Sequence, residues 1–285
     1  MSDRDKRVTV VLPAFQEESR IGRAVREVRR AVEQRVPGEE LEVIVVDDGS
    51  TDDTAGEAER AAADRVIRLP DNRGKGAAVR AGVLAARGRT VAFTDADLAY
   101  EPELLLEVLA GVEAGSDVVV GSRLHADATT LVRARRLREV GGRLINLLTR
   151  RLVLGQTRDT QCGLKAFDAE AATLLFGKAR LDGFAFDVEL FHLIGRYGFS
   201  LSEVPVRVTH SRRSSVHVLP DAARLVRDLF RIRRWERRGA YDSGGPAARP
   251  EGPGAEAGGP AARPEGPGAE AGGPAARPEG PGAEA

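Results

Sequence analysis

Val43-Ile44-Val45-Val46-Asp47-Asp48-Gly49-Ser50-Thr51-Asp52 is followed, about one parallel-strand unit later, by Thr90-Val91-Ala92-Phe93-Thr94-Asp95-Ala96-Asp97. These two stretches decide the fold. In each, an acidic cluster closes a short apolar run bounded by turn residues, the pattern of a buried parallel strand. Carboxylates at the carboxyl ends of such strands line the crevice where open α/β sheets bind ligands. Two oxygen-bearing residues spaced i, i+2 on an extended tip can share one hard cation that bridges phosphates. A lone D-x-D is a weak signal, since most copies are solvated turns. Here it has company: Val10-Val11-Leu12-Pro13-Ala14-Phe15-Gln16-Glu17-Glu18 ends a first strand, and Asn72-Arg73-Gly74-Lys75-Gly76 opens a helix. The expected site is therefore a metal-assisted one for a nucleotide sugar.

Working outward, strands are expected at Val8–Leu12, Val43–Asp47, Arg65–Leu69, Val91–Thr94 and Val118–Gly121. Helices are expected near Arg20–Gln34, Thr54–Ala63, Lys75–Ala86 and Glu101–Ala114, with Pro102 in a first turn and Asp52 or Asp53 as a cap. Strict alternation implies right-handed crossovers and a mostly parallel sheet flanked by helices. No Gly-x-Gly-x-x-Gly follows the first strand, which argues against a dinucleotide site. Further on, Arg133–Leu154 reads as helical, Phe184 to Leu190 opens another helix, Leu201–Val208 reads as an edge strand, and a last helix runs from Asp221 to Arg238.

The 285 residues have a formal net charge of zero, unevenly spread. Residues 123–158 carry nine Arg against Asp127 and Glu139, and residues 205–239 carry ten Arg against three acids. The last 42 residues are three identical copies of Gly-Gly-Pro-Ala-Ala-Arg-Pro-Glu-Gly-Pro-Gly-Ala-Glu-Ala. A tract without aromatic or β-branched residues cannot offset its ordering entropy, so 244–285 is expected to be a disordered tail behind a 1–243 catalytic domain. Cys162 is the sole cysteine, which excludes an internal disulfide and suits a reducing compartment. Polar Met1–Lys6 precedes the first strand directly, so no signal peptide is expected, and no run approaches the ~20 apolar residues of a spanning helix. The expectation is a cytoplasmic protein, peripheral at the inner face of the plasma membrane.

The set of motifs, from about Val8 to Arg238, resembles the family-2 glycosyltransferases of GT-A fold. Asn72 to Gly76, Asp159-Thr160-Gln161-Cys162-Gly163-Leu164-Lys165-Ala166-Phe167 and Phe184 to Leu190 narrow the resemblance. They are similar to the branch that moves a sugar from a nucleotide diphosphate to a dolichyl-type polyprenyl phosphate, the glucosyl-transferring members above all. The resemblance implies that Pro13, Ala14 and Glu17 line the nucleoside pocket, with Val46 and Asp48 at the base. It implies that Asp95, Ala96 and Asp97 hold ribose, metal and diphosphate, and that Arg123 reaches the sugar phosphate. It divides the domain into a nucleotide-sugar half, about 7–123, and an acceptor half, about 124–239.

Chemistry supports several of these roles. The Asp48 carboxylate suits a uracil N–H, although Asp47 and Asp48 equally suit capping of the next turn. Mg²⁺ or Mn²⁺ held by Asp97 and Asp95 would neutralise the leaving diphosphate. Lys75, at a helix N-terminus, is a phosphate partner or an ordinary exposed lysine. A prenyl phosphate is already largely anionic at neutral pH, so it needs cations such as Arg212 and Arg213 more than a strong base. Asp187 and Glu189 match acidic positions of the family; Asp187 is a candidate catalytic group or a helix cap. Cys162 reads as a packed small residue.

Two departures from the family pattern matter. Ala99 stands where mannosyl-transferring relatives carry Gln, and Arg213-Ser214-Ser215 replaces a late Gly-Ser-Lys. UDP-glucose is thus the expected donor, with GDP-mannose or another acceptor as the alternative. A processive polysaccharide synthase is a weaker reading, since Arg231-Ile232-Arg233-Arg234-Trp235 lacks the Gln of Q-x-x-R-W. A non-catalytic nucleotide or polyanion module is weaker too, because the acidic clusters repel nucleic-acid phosphates. The last helix carries Leu225, Val226, Leu229, Phe230 and Ile232 in one stripe flanked by Arg224, Arg227, Arg231, Arg234 and Arg238. It reads either as an interfacial membrane helix or as a helix docked on the domain.

Overall fold

The computed structural model describes residues 4–122, 162–206 and 218–242, with the side chains of 218–223 excepted. Arg123, Arg212, Arg213, the Arg133–Leu154 stretch, the Asp159–Gln161 part of its motif and the repeat tail lie outside the described residues. Among the described residues seven strands form one sheet: β1 (Lys6–Ala14), β2 (Leu41–Asp47), β3 (Arg65–Arg68), β4 (Gly88–Phe93), β5 (Val118–Ser122), β6 (Lys165–Asp168) and β7 (Leu201–Pro205). Their order is β3-β2-β1-β4-β6-β5-β7. All neighbours pair in parallel except β6, which runs antiparallel between β4 and β5. This is the mixed α/β architecture expected of a GT-A fold.

Seven α-helices accompany the sheet among the described residues: α1 (Glu18–Val32), α2 (Thr54–Arg60), α3 (Lys75–Ala85), α4 (Leu104–Glu113), α5 (Ala169–Lys178), α6 (Phe186–Tyr197) and α7 (Val218–Arg237). Strand alternation sends successive side chains to opposite faces. Val8, Val10, Leu12, Val43 and Val45 pack against α1, α2 and α4, whereas Val11, Ile44, Val46 and Phe93 pack against α3, α5, α6 and α7. The apolar runs that named β1 and β2 are continuous because both faces are covered. At Gly82 a Cβ would run into Val11 and Val46, so the glycine lets α3 lie flat on the sheet.

Two elements differ from the sequence reading, and one of its two capping candidates is selected. The segment before Phe167 becomes β6 and turns into α5 through Asp168, whose side chain accepts Glu170 N–H at 2.8 Å. At four residues, β6 is too short to show an alternation signal. Pro102 precedes α4, with its carbonyl accepting Leu105 N–H, rather than sitting inside the helix. Asp52, not Asp53, accepts the Thr54 N–H, at 3.1 Å.

The last helix is docked. Leu225, Leu229 and Ile232 are buried in the core shared with α6, and Tyr241, just beyond the helix, is wholly enclosed. The Tyr241 hydroxyl donates to buried Glu189 at 2.8 Å, and Glu189 in turn accepts the N–H groups of Arg180 and Leu181 at 2.9 and 2.7 Å. The stripe that suited a membrane interface is therefore spent on the domain, leaving Phe230 outside at 61 % exposure. No helix of the described residues is long and apolar enough to cross a membrane.

Leu229→Ala should lower the unfolding free energy by about 2–5 kcal/mol, the range for emptying a buried leucine site. Phe230→Ala should change it by about 0.5 kcal/mol or less, as expected at the surface. Urea denaturation of both variants measures the difference. Equal effects would contradict the docked orientation.

Candidate active site

The carboxyl ends of β1, β2, β4 and β5 share one edge, and the β1/β4 boundary is where strand order changes direction. Such a switch point leaves a crevice between diverging loops. Three loops meet there. Gln16 takes a left-handed backbone (φ 57°), and its N–H donates to Ser50 Oγ at 2.9 Å. Glu17 N–H donates to Thr54 Oγ1 at 2.9 Å, and Glu18 N–H to Asp52 at 3.2 Å. The loops after β1 and β2 are thereby stitched into one wall.

Asp48 is buried, and its two oxygens accept the N–H groups of Arg73 and Gly74 at 2.9 and 2.7 Å. Asp47 accepts Ser50 N–H at 2.9 Å. Asp48 thus ties the β2 tip to the turn that opens α3, which realises the turn-fixing alternative. Gly74, at φ 108°, permits the turn, since a side chain there would strike the Asp182 carbonyl. Of the other residues expected to line a nucleoside pocket, Ala14 is buried at the β1 tip and Pro13 is half-buried. Val46 turns its side chain toward α3 and the core, so only its backbone reaches the edge.

Beyond β4, Asp95 and Asp97 leave the sheet, with Ala96 buried between them. Leu98 adopts a left-handed backbone (φ 49°), and Asp97 accepts Ala99 N–H at 3.0 Å, which curls the tip back over the crevice. Strain of this kind in a non-glycine residue clusters at functional sites. Lys75 pairs with Asp95, and its side chain is only 18 % exposed. The exposed-lysine alternative is thus wrong: α3 starts here, and its first residue points into the acidic cluster.

A fourth element sequence reasoning did not assign. Because β6 is antiparallel, it begins at the edge where the parallel strands end, bringing Cys162 to Lys165 beside Asp95. Lys165 is opposite Phe93 in the ladder. Its ammonium is buried and donates to Cys162 O at 2.6 Å and to Asp187 at 2.7 Å. Asp187, in the first turn of α6, is therefore an ion-pair partner rather than a cap. A Cβ at Gly163 would meet the Asp95 carboxylate and push it from its present position, so glycine leaves room for the D-x-D as it stands. Arg20, also unassigned, pairs with Glu17 at 3.1 Å.

The charges follow from this crowding. Burial raises the pKa of Glu17, Asp48, Asp97 and Asp187 above the ordinary carboxylate values. For Asp97 the neighbouring Asp95 adds to the rise; for Asp187, Lys165 and Lys75 work against it. Burial would lower the Lys75 ammonium, but Asp95, Asp187 and Asp97 together hold it above its usual value. Among the described residues no three His, Cys, Asp or Glu side chains gather as a metal cage. A two-carboxylate, all-oxygen set fits a hard cation that takes its other ligands from phosphate and water, as Mg²⁺ does. A separate open depression of about 910 Å³, lined by Arg4, Arg89, Thr173 and Lys178 among others, holds none of these site residues.

The family model of glycosyl transferase family 2 matches residues 9–175. A dolichyl-phosphate beta-glucosyltransferase of Drosophila melanogaster is 36 % identical over 240 residues, covering 79 % of this chain and 74 % of its own length. The Homo sapiens protein of the same name is 32 % identical over 243 residues, covering 80 % and 75 %. Among solved structures, glucosyl-3-phosphoglycerate synthase from Mycobacterium tuberculosis, in complex with Mn²⁺, UDP-glucose and phosphoglyceric acid, is similar. It superposes with a TM-score of 0.58 at 25 % identity, covering 84 % of this chain and 82 % of that one.

A carboxyl whose pKa is raised by folding binds more protons folded than unfolded. The stability it contributes is present at acid pH and is lost as pH rises through the raised value. Glu17, Asp48 and Asp97 all act in this direction. A cation on Asp95 and Asp97 opposes the loss, so Mn²⁺ should raise the melting temperature more at about pH 7.5 than at about pH 5. Scanning fluorimetry across pH measures the increment, which should vanish in Asp97→Asn. Persistence in that variant would put the ion elsewhere.

Proposed function

The chain belongs to glycosyl transferase family 2, and on that premise we propose that it transfers glucose from UDP-glucose to a dolichyl-type polyprenyl phosphate. The observation that carries the reading is the meeting of Asp95, Asp97 and Lys75 at the β4 edge, opposite Asp187. Two dolichyl-phosphate beta-glucosyltransferases that match most of the chain support the acceptor and the sugar. A neighbour that binds Mn²⁺ and UDP-glucose supports the donor.

The donor's nucleoside enters between the stitched β1 and β2 loops, beside Pro13, Ala14 and Glu17, over the Asp48-braced turn. Ala96 and the D-x-D tip cover the ribose and diphosphate. Asp95 and Asp97 would hold Mg²⁺ or Mn²⁺, which when bound supplies Lewis-acid neutralisation of leaving-group charge. Lys75 adds a second positive charge on the same side, a donor aimed where charge develops. The acceptor phosphate oxygen attacks the anomeric carbon from the face opposite the nucleoside diphosphate. The new C–O bond forms as the old one breaks, and the configuration inverts. The acceptor is already anionic near neutral pH, so Asp187 has no proton to remove and acts by holding charge. Arg123, Arg212 and Arg213 would complete the phosphate grip.

In this reading residues 1–243 are the catalytic domain, with donor chemistry in about 7–123 and acceptor chemistry in about 124–239, and residues 244–285 are a tail behind it. The enzyme would approach its lipid acceptor as a peripheral protein at the inner face of the plasma membrane. Nucleic acid is no partner.

Incubation with radiolabelled UDP-glucose and a short polyprenyl phosphate should yield an organic-extractable labelled lipid, with GDP-mannose giving far less. EDTA should abolish the product. Asp97→Asn should reduce turnover by about 10²-fold or more while keeping the fold, as loss of leaving-group stabilisation predicts. Wild-type rates in that variant, or preference for the guanosine donor, would overturn the assignment.

A further inference from the structure

Lys165 is a charged side chain for which nothing above has found a use. Its ammonium is 1 % exposed and Asp187 6 %. The rings of Phe93 and Phe191 lie 5.4 and 5.7 Å from its Nζ. Removing two charges from water costs more than their attraction commonly returns, and apolar replacements of a buried pair are often neutral or stabilising. Phe93, Phe167, Phe176 and Phe186 already form a contiguous aromatic cluster around it. Stability alone does not account for the pair.

Its position does. The groups facing Asp187 are Lys165 from β6, Lys75 from α3 and Asp95 from beyond β4. Lys75 in turn pairs with Asp95. The four charges form a row of alternating sign, Asp95, Lys75, Asp187, Lys165, that runs from the crevice into the core. The inner end is closed: Lys165 is fixed by the Cys162 carbonyl, the Asp187 carboxylate and two ring faces. Without that anchor, Asp187 would either take up a proton or draw Lys75 inward, away from the diphosphate.

We propose that Lys165 is a positioning residue of the donor site, fixing the Asp187 carboxylate beside the Asp95–Lys75 pair so that the Lys75 side chain stays aimed at the donor diphosphate. An ammonium suits the place: –NH₃⁺ directs its donors to a carbonyl, a carboxylate and the ring faces, whereas a guanidinium would present a planar fork. This inference rests on the donor-site reading above but not on the identity of the acceptor.

The experiment compares wild type with Lys165→Met, Asp187→Asn and the double variant in three measurements. These are melting temperature, calorimetric affinity for UDP with Mn²⁺, and the pH profile of kcat/KM for donor turnover. Lys165→Met should melt lower and bind UDP with Mn²⁺ about tenfold more weakly near pH 7, the usual effect of losing a group that orients a ligating one. With the cation gone, Asp187 protonates more readily, so the acid limb of kcat/KM should move to higher pH and the deficit should shrink as pH rises. The double variant leaves no buried lone charge; its melting temperature should recover while its affinity and turnover stay low. Recovery of turnover together with stability, or an unchanged acid limb and UDP affinity in Lys165→Met, would overturn the proposal. If Lys165→Met does not fold, the double variant against Asp187→Asn decides by the same criterion: wild-type UDP affinity in the double variant refutes it. A wild-type enzyme that binds UDP but labels no polyprenyl phosphate would refute the acceptor and leave this test intact.

Discussion

The site depends on opposite charges being held apart from water at the carboxyl edge of the sheet. Burial and the neighbouring Asp95 both raise the proton affinity of Asp97. Lys75 compensates on one side, and Asp95 first, then Asp187 and Asp97, hold its ammonium above the usual value in spite of burial. An isolated charge in a buried setting is costly, and a set of opposite charges is less so. Together they form a field of fixed sign pattern, one that would suit a ligand bringing two phosphates and a cation. Such preorganisation is worth most where water is excluded.

The geometry behind that field comes from one reversal of strand direction. In an all-parallel sheet, each strand's first residues lie at the edge away from the ligand. The antiparallel β6 inverts this, so its first residues meet the last residues of β4, and Lys165 lies opposite Phe93. The Gly163 backbone then lies against the Asp95 carboxylate, where a Cβ would displace it. Glu189 braces the same region from behind by fixing the backbone at 180–181, one segment before the Asp182 carbonyl that receives Ala77 N–H at 3.1 Å. The start of α3, and hence Lys75, is located by contacts from residues more than a hundred positions away in the chain.

Much of this was legible in the sequence, and the reasons are local. β1, β2, β4 and β5 are apolar runs covered on both faces, and Asp48, Asp95 and Asp97 follow them at strand ends, so period and punctuation sufficed. β6 was not legible: four residues opened by a lysine carry no strand pattern, and antiparallel insertion between β4 and β5 leaves no local trace. Lys165 did leave one signal. The chain uses Arg almost throughout and Lys only at 6, 75, 165 and 178. A lysine set between Leu164 and Ala166-Phe167 in such a chain stands out as a cation among apolar residues. The docking of α7 was ambiguous for a different reason. An amphipathic stripe records that a face is buried but not whether protein or lipid buries it.

That docking constrains how α7 could meet a lipid surface. With Leu225, Leu229 and Ile232 facing the core, the outward face of α7 presents Arg224, Arg227, Arg231, Arg234 and Phe230. Arg231 also lies over the Trp235 ring at 4.8 Å and pairs with Asp228 at 3.2 Å, so part of that charge is already engaged. Such a face offers cations to an anionic surface without inserting a helix into it. Attraction of this kind is reversible and fades with ionic strength, because it acts through screened charge and not apolar burial. An enzyme that must take a long prenyl chain by its phosphate and release a glycosylated one gains from contact of that strength. Tighter insertion would also pull Leu229 and Ile232 from the core, release Tyr241 from Glu189, and loosen the backbone that locates Lys75. The rigidity the donor site needs therefore limits how deeply this helix can enter a membrane.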